Sequence, residues 1–198
     1  MGELLVGAGV GPDGFEAELV AILEPTSWWT SDRSELRGGF EASVVSFRMR
    51  QNFLILVADD DENDRTLIRL AISRNTIPVE IREVHDGAEV VAYLQGEGKY
   101  SDREKYPFPE MLLVDLKMPR MDGLGVLQWL EAHPECAFLP VVMLSGSGAE
   151  KDILEAYRRG VKAYFVKPSD LNELTEIVRL VAGHWAKAER PEMPERCK

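Results

Sequence analysis

From residue 53 onward, short apolar runs alternate with stretches whose apolar residues recur at helical spacing. The runs read FLILVA, MLLVD, PVVMLS and KAYFV, and one further segment, VEIREV, alternates apolar and charged residues with the period of a strand. Five strands that alternate with five helices indicate an α/β fold with a parallel sheet, because parallel strands need long crossover connections. Right-handed crossovers place helices on both faces, so we predict a doubly wound five-stranded parallel sheet.

The intervening helices are predicted at residues 63–73, 88–95, 122–132, 150–159 and 170–187. The last of them carries an apolar stripe along one face, formed by Leu171, Leu174, Ile177, Val178, Val181 and Trp185. A polar stretch, GEGKYSDREKYPFP, separates the second helix from the third strand and is predicted to be a long loop.

Composition limits the partners of this chain. It has 34 acidic and 23 basic residues and a net charge of −11. Binding to nucleic acid or to an anionic membrane needs clustered Lys and Arg, so we expect neither partner. Two cysteines, Cys136 and Cys197, cannot build a disulfide framework or a zinc site. No apolar run is long enough to span a bilayer, and a cytoplasmic location is expected.

Residues 1–50 differ from the rest, since they contain no lysine and two loop-like stretches, GAGVGPDG and PTSWWTSDRSELRGG. Three interpretations remain open. The segment is a flexible extension, which we favour, or it is not translated because Met49 is the true start, or it docks through Trp28 and Trp29. The folded domain is assigned to residues 51–187 and a polar tail to 188–198. Residues 1–48 are expected to be dispensable for folding, because they offer little periodic apolar surface.

Polar side chains follow four of the predicted strands. They are Asp59 and Asp60 after the first strand, Asp115 after the third, Ser145 and Gly146 after the fourth, and Lys167 after the last. The carboxyl ends of parallel strands share one edge of the sheet, so these groups should converge. Clustered carboxylates need a counter-charge, and Mg²⁺ prefers oxygen ligands. An aspartate beside that ion can attack a phosphoryl group, while a lysine and a hydroxyl stabilise its oxygens.

Four stretches at these strand ends, LVADDDEND, LLVDLKMPRMDG, VVMLSGS and AYFVKP, carry a family resemblance. The chain from about residue 51 to residue 185 resembles a response-regulator receiver domain of two-component signalling, which has a flavodoxin-like fold. The resemblance implies that Asp115 is the phosphoacceptor and also a metal ligand. It implies that Asp59, Asp60 and the backbone carbonyl of Lys117 complete the protein ligands of Mg²⁺.

The resemblance also implies a phosphate-binding group and a switch. Lys167, Ser145 and Gly146 would bind the phosphoryl group, and the peptide bond before Pro168 is expected to be cis. Ser145 and Tyr164 would be the switch residues. Asp61 departs from many receivers, and we interpret it as the N-cap of the first helix, with tuning of the metal site as the alternative.

The expected function is that of a single-domain response regulator. It would receive a phosphoryl group from a sensor histidine kinase or a histidine phosphotransfer protein and catalyse only its own phosphotransfer and dephosphorylation. The stretch after Trp185 is too short for an output domain. The output is therefore expected to be contact with a downstream protein or a homodimer through the last strand and last two helices, or transfer to another histidine.

The sequence also shows a narrower resemblance to one subgroup of receivers, and two other classes of protein remain open. The loop at residues 99–109 and the segment HPECAFLP are similar to stand-alone receivers, including those served by phytochrome-type kinases. One alternative is an interaction module that keeps only the fold. The other is a haloacid-dehalogenase-like phosphatase, which is disfavoured because Lys117 lies where such enzymes have a second acid.

Overall fold

The computed structural model describes residues 53–189. The interpretations of residues 1–50, including Met49 and the two tryptophans at 28 and 29, therefore lie outside the described residues, as does most of the predicted tail.

Five strands and five helices alternate along this range. The strands are β1 (Phe53–Ala58), β2 (Val79–Val84), β3 (Met111–Val114), β4 (Val141–Ser145) and β5 (Ala163–Val166). The helices are α1 (Glu62–Ser73), α2 (Gly87–Gln95), α3 (Gly123–Glu131), α4 (Glu150–Arg158) and α5 (Leu171–Lys187). Short 3-10 turns at Gly98–Tyr100 and Pro134–Cys136 lie in segments without a predicted element.

The strands form one parallel sheet in the order β2-β1-β3-β4-β5, which confirms the predicted α/β class. In the register, Ile55 of β1 lies opposite both Ile81 of β2 and Met111 of β3. After β2 the chain crosses to the other side of β1 and builds the rest of the sheet there. The reversal makes the carboxyl ends of β1 and β3 the topological switch point, where such folds form a crevice.

The helices cover both faces of the sheet, as the doubly wound prediction requires. One buried cluster contains Leu56 and Ala58 of β1 and packs under α2 and α3, whereas the other contains Ile55 and Val57 and packs under α1 and α5. Strands buried on both faces lose the polar alternation of a half-exposed strand, which is why β1 is apolar throughout.

The ends of the helices follow the capping residues. Asp61 caps α1, and its Oδ1 accepts a hydrogen bond of 2.7 Å from the backbone N–H of Asn63, which confirms the cap prediction. The stripe on α5 faces the sheet, with Leu174 and Val178 buried and Trp185 packed against the same cluster. Among the described helices, none has the length and apolar character needed to cross a membrane.

Candidate functional site

The ends of β1 and β3 bring two carboxylates into a buried position at the switch point. Asp59 is 2% exposed and Asp115 is 6% exposed. The backbone N–H of Asp115 donates to Ala58 O at 2.8 Å, so the strand pairing itself places the two side chains beside each other. Asp60 follows on the exposed side of the same edge. The structure thus brings Asp59 and Asp115 together, while Asp60 is exposed and lies beside Asp59 in the chain.

Lys167 reaches into this group from the end of β5. Its Nζ lies 2.7 Å from Asp59 Oδ2, 2.6 Å from Asp64 Oδ2 and 3.4 Å from Asp115 Oδ1. The backbone N–H of Lys167 donates to Ser145 O at 2.8 Å, which extends the β4–β5 pairing to the site. The ammonium group therefore supplies the counter-charge of the carboxylates in this structure.

Burial and contacts with neighbouring charged groups together set the pKa values of Asp59 and Lys167. Burial raises the pKa of Asp59, although the hydrogen bond and charge of Lys167 partly oppose this effect. Burial alone would lower the pKa of Lys167, but its hydrogen bonds to Asp59 and Asp64 and the charge of Asp115 outweigh burial and raise it. Lys167 is therefore a permanent cation at the centre of the site.

The two carboxylate oxygens of Asp115 differ in their hydrogen bonding. Its Oδ2 accepts a hydrogen bond of 2.9 Å from the backbone N–H of Lys117. Its buried Oδ1 has no hydrogen bond and only the longer ion-pair contact with Lys167. A buried carboxylate oxygen without a hydrogen bond is costly unless it serves a ligand or a reaction.

The oxygen donors available here suit a hard divalent cation. They are the carboxylates of Asp59, Asp60 and Asp115, together with the backbone carbonyl of Lys117. Within residues 53–189, however, no three acidic, histidine or cysteine side chains are already grouped as a ligand set. The ammonium of Lys167 instead contacts Asp59, Asp64 and Asp115. The residue types fit a cation that enters with its own water molecules and competes with that ammonium.

The loop from β3 to α3 is packed tightly behind Asp115. The N–H of Gly123 donates to Leu116 O at 2.9 Å, and a Cβ on Gly123 would lie 2.5 Å from Asp115 O. Further along, Arg120 has a φ of 62° and pairs with the buried Asp86. The conformation of this loop is therefore determined by contacts with Asp86, which caps α2, and with the residues that follow β3.

Two site residues were missed by the sequence analysis. Arg65 is 3% exposed and its Nη1 donates to Asp59 O at 2.6 Å, which holds the backbone at the end of β1. Asp64, in the first turn of α1, contacts Lys167, and this contact was not predicted. Their positions were the available signal, because both lie about one helical turn after the cap and side chains in a helix lean back towards its N-terminus.

The two predicted switch residues meet at the loop that follows β4. Ser145 is buried, and its Oγ accepts a hydrogen bond of 3.3 Å from Ser147 N–H. The Tyr164 hydroxyl donates to Ser147 O at 2.8 Å, while its ring packs against the buried cluster that contains Leu56. Burial raises the pKa of Tyr164, so the hydroxyl remains a neutral donor. Gly146 lies exposed in the same loop.

The expected cis peptide before Pro168 is wrong. All peptide bonds of the described residues are trans, including that one. The two isomers before a proline differ by only about 0.5–1 kcal/mol in an unconstrained chain, so a short sequence motif does not determine which one the surrounding contacts select.

The family comparison agrees with this geometry. The family described as response regulator receiver domain matches residues 55–179. The chain belongs to this family of two-component signalling proteins, whose members interact with histidine kinases and downstream targets. The chain is 32% identical over 132 residues to Response regulator Rcp1 of Synechocystis. The aligned region covers 67% of this chain and 88% of that protein.

Solved structures show the same similarity. A phosphorylated cyanobacterial phytochrome response regulator, RcpA, is 34% identical, with a TM-score of 0.65 over 71% of this chain and 99% of that one. The Mn²⁺-bound form of Rcp1 is 31% identical, with a TM-score of 0.62 over 70% of this chain and 99% of that one. Divalent metal binding in the acidic pocket is a property of the family.

Proposed function

We propose that this protein is a response regulator that accepts a phosphoryl group on Asp115 from a histidine kinase or a histidine phosphotransfer protein, with Mg²⁺ as cofactor. The observation that carries the proposal is the buried Oδ1 of Asp115, which has no hydrogen bond and lies 3.4 Å from the Lys167 ammonium. The phosphorylated and Mn²⁺-bound relatives support it by similarity.

The residues divide the chemistry among them. Asp59, Asp60, Asp115 and the Lys117 carbonyl would hold Mg²⁺, which when bound neutralises the carboxylates and the phosphoryl oxygens. The Lys117 N–H holds one oxygen of Asp115, so the other oxygen forms the bond to phosphorus while the bond from phosphorus to the donor imidazole breaks.

The remaining groups stabilise the phosphoryl oxygens. Lys167 supplies a positive charge beside Asp115, and the Ser145 hydroxyl with the Gly146 N–H supplies hydrogen-bond donors at the end of β4. Water later removes the phosphoryl group from the acyl phosphate. The chemistry is thus limited to the protein's own phosphorylation and dephosphorylation.

The direct test uses acetyl phosphate as the donor. Incubation of the full chain with acetyl phosphate and MgCl₂ should add one phosphoryl mass, because the ion offsets the repulsion between the carboxylates and the incoming group. Intact-mass spectrometry measures the addition, and EDTA provides the matched metal-free sample. Equal labelling with and without the metal would contradict the proposed role of Mg²⁺.

Phosphorylation should shift the loop after β4. A phosphoryl group on Asp115 attracts the Ser145 hydroxyl, which weakens the contact of Ser145 with Ser147 and alters the hydrogen bond from Tyr164 to the same loop. Beryllofluoride, used as a mimic of the phosphoryl group, should therefore perturb the amide signals of residues 145–166 in NMR spectra. Perturbations confined to residues 59–61 and 115 would contradict this coupling.

The output surface is proposed to be the face formed by α4, β5 and α5. Its exposed apolar side chains are Leu154, Tyr157, Val166 and Leu180, each between 47% and 56% exposed. Apolar side chains that gather on one face of a soluble domain mark a protein contact. We propose that a downstream protein or a second copy of the chain binds there.

Phosphorylation should change association without creating DNA binding. The net charge of −11 provides no basic face for neutralising phosphates. Sedimentation of the phosphorylated and unphosphorylated protein should reveal a change in association, or a pull-down should reveal altered partner binding. Duplex DNA at physiological salt should not be retained, and retention by the isolated chain would contradict this proposal.

The boundaries and cellular setting belong to the same proposal. We assign the receiver to residues 51–187 and place the protein in the cytoplasm, where a histidine kinase has its catalytic part. Relatives named for phytochromes agree with the narrower resemblance of the loop at residues 99–109. A phytochrome-type kinase from the same genome is accordingly the first donor to test in a phosphotransfer profile.

A further inference from the structure

The position of Lys167 in this structure is set by Asp64 as much as by the two buried aspartates. Nζ lies 2.6 Å from Asp64 Oδ2 and 2.7 Å from Asp59 Oδ2, but 3.4 Å from Asp115 Oδ1. The two short contacts have hydrogen-bond geometry, whereas the contact with Asp115 is an ion pair only. The ammonium is therefore held on the α1 side of the site, away from the phosphoacceptor.

We propose that Asp64 is a positioning residue that restrains Lys167 and competes with the phosphoryl group on Asp115 for the ammonium. The proposal rests on the function proposed above and adds a residue that sets the rate of phosphorylation. Asp59 would be shared with Mg²⁺, which leaves Asp64 as the partner that continues to hold the ammonium when the metal is bound.

Stabilisation of the N-terminus of α1 is the alternative role for Asp64. Other residues already provide it. Asp61 caps the helix, and Glu62 also lies in the first turn. The Asp64 carboxylate accepts from Lys167, a residue 103 positions away, rather than from a backbone N–H of its own helix. Its side chain is 33% exposed, against 19% for Lys167, so the ion pair is partly shielded from water.

Competition predicts a direction of effect. When the charge of Asp64 is removed, Lys167 loses one of its two short contacts and its average position moves towards Asp115. The incoming phosphoryl group then meets more positive charge and less negative charge. Because partly shielded ion pairs are modest in strength, we expect Asp64→Asn to raise the rate of labelling by acetyl phosphate about threefold to tenfold.

The chain supplies a matched control in Asp61. Asp61→Asn removes the same unit of charge three residues away, and asparagine caps a helix as well as aspartate does. The Asp61 side chain accepts from Asn63 N–H and does not contact Lys167, and its link to Asp59 is made by the backbone N–H, which the substitution keeps. The rate of labelling of Asp61→Asn should therefore stay within about twofold of the wild-type rate.

A second measurement does not depend on phosphorylation. In the metal-free protein at one fixed pH, the NMR signals of the Lys167 side-chain CεH₂ group should shift in Asp64→Asn and not in Asp61→Asn. This comparison reports the contact itself. Circular dichroism verifies that both variants are folded.

The outcomes separate this inference from the proposed function. If wild-type protein is labelled and Asp64→Asn is labelled at the same rate or more slowly, competition by Asp64 is wrong while the function stands. Equal acceleration by both variants would also overturn it, because the effect would then be general charge repulsion. If wild-type protein with Mg²⁺ is not labelled at all, the proposed function itself fails, and an unchanged Lys167 signal in Asp64→Asn overturns the contact.

Discussion

Asp115→Asn is expected to abolish the Mg²⁺-dependent addition of a phosphoryl group. The amide has nearly the same shape and its oxygen can still accept the hydrogen bond from Lys117 N–H, which is 2.9 Å long in the native protein. It lacks the anionic oxygen that is proposed to form the bond to phosphorus, and it removes one charge from the proposed metal site. Intact-mass spectrometry after incubation with acetyl phosphate and MgCl₂ measures the loss.

Asp122 provides the control for this substitution. It lies in the same loop, is exposed, and caps α3 by accepting a hydrogen bond of 2.7 Å from Gly125 N–H. Asp122→Asn makes the same chemical change and keeps the cap, so it should be labelled like the wild type. If Asp115→Asn were labelled as fast as Asp122→Asn, Asp115 would not be the phosphoacceptor.

Gly123→Ala is expected to damage both stability and labelling. An added Cβ would lie 2.5 Å from the backbone oxygen of Asp115 and 3.1 Å from Leu116 Cα, so the backbone of one segment has to move. Inserting a methyl group into such a tight place costs about 1–3 kcal/mol of unfolding free energy. Because the displaced atom belongs to the proposed phosphoacceptor, Asp115, we also expect labelling to fall at least about tenfold.

Gly148 separates this local effect from that of a glycine substitution in general. A Cβ on Gly148 would lie 3.6 Å from Val166 Cγ2, which is an ordinary contact. Denaturant unfolding of both variants should show a clear loss only for Gly123→Ala, and labelling should be compared at a temperature where both remain folded. Native-like stability and labelling of Gly123→Ala would show that the loop relaxes without moving Asp115.

Much of the fold can be predicted from local sequence patterns. The run FLILVA predicts a buried strand and coincides with β1, and Asp61, Asp86 and Asp122 each precede a helix that they cap. The crevice could also be anticipated, since parallel strands place their carboxyl ends at one edge. The residues that belong to it, Asp59, Asp115, Ser145 and Lys167, accordingly lie at strand ends that share this edge.

Sequence spacing does not reveal which side chains finally touch. No sequence pattern singled out Arg65, yet it is buried and donates to Asp59 O. A short sequence motif also does not determine the peptide isomer before Pro168. The difference in free energy between the two isomers is small compared with the contribution of the surrounding contacts.

The sequence by itself determined the strands, the helix caps and the set of residues at one edge of the sheet, since these depend on periodicity and on interactions between near neighbours. Only the tertiary structure decided that Lys167 is held by Asp59 and Asp64 more closely than by Asp115. That choice depends on the order of the strands in the sheet and on the position of α1, which bring together side chains more than 100 residues apart. The strength of each ion pair depends on how far that packing excludes water.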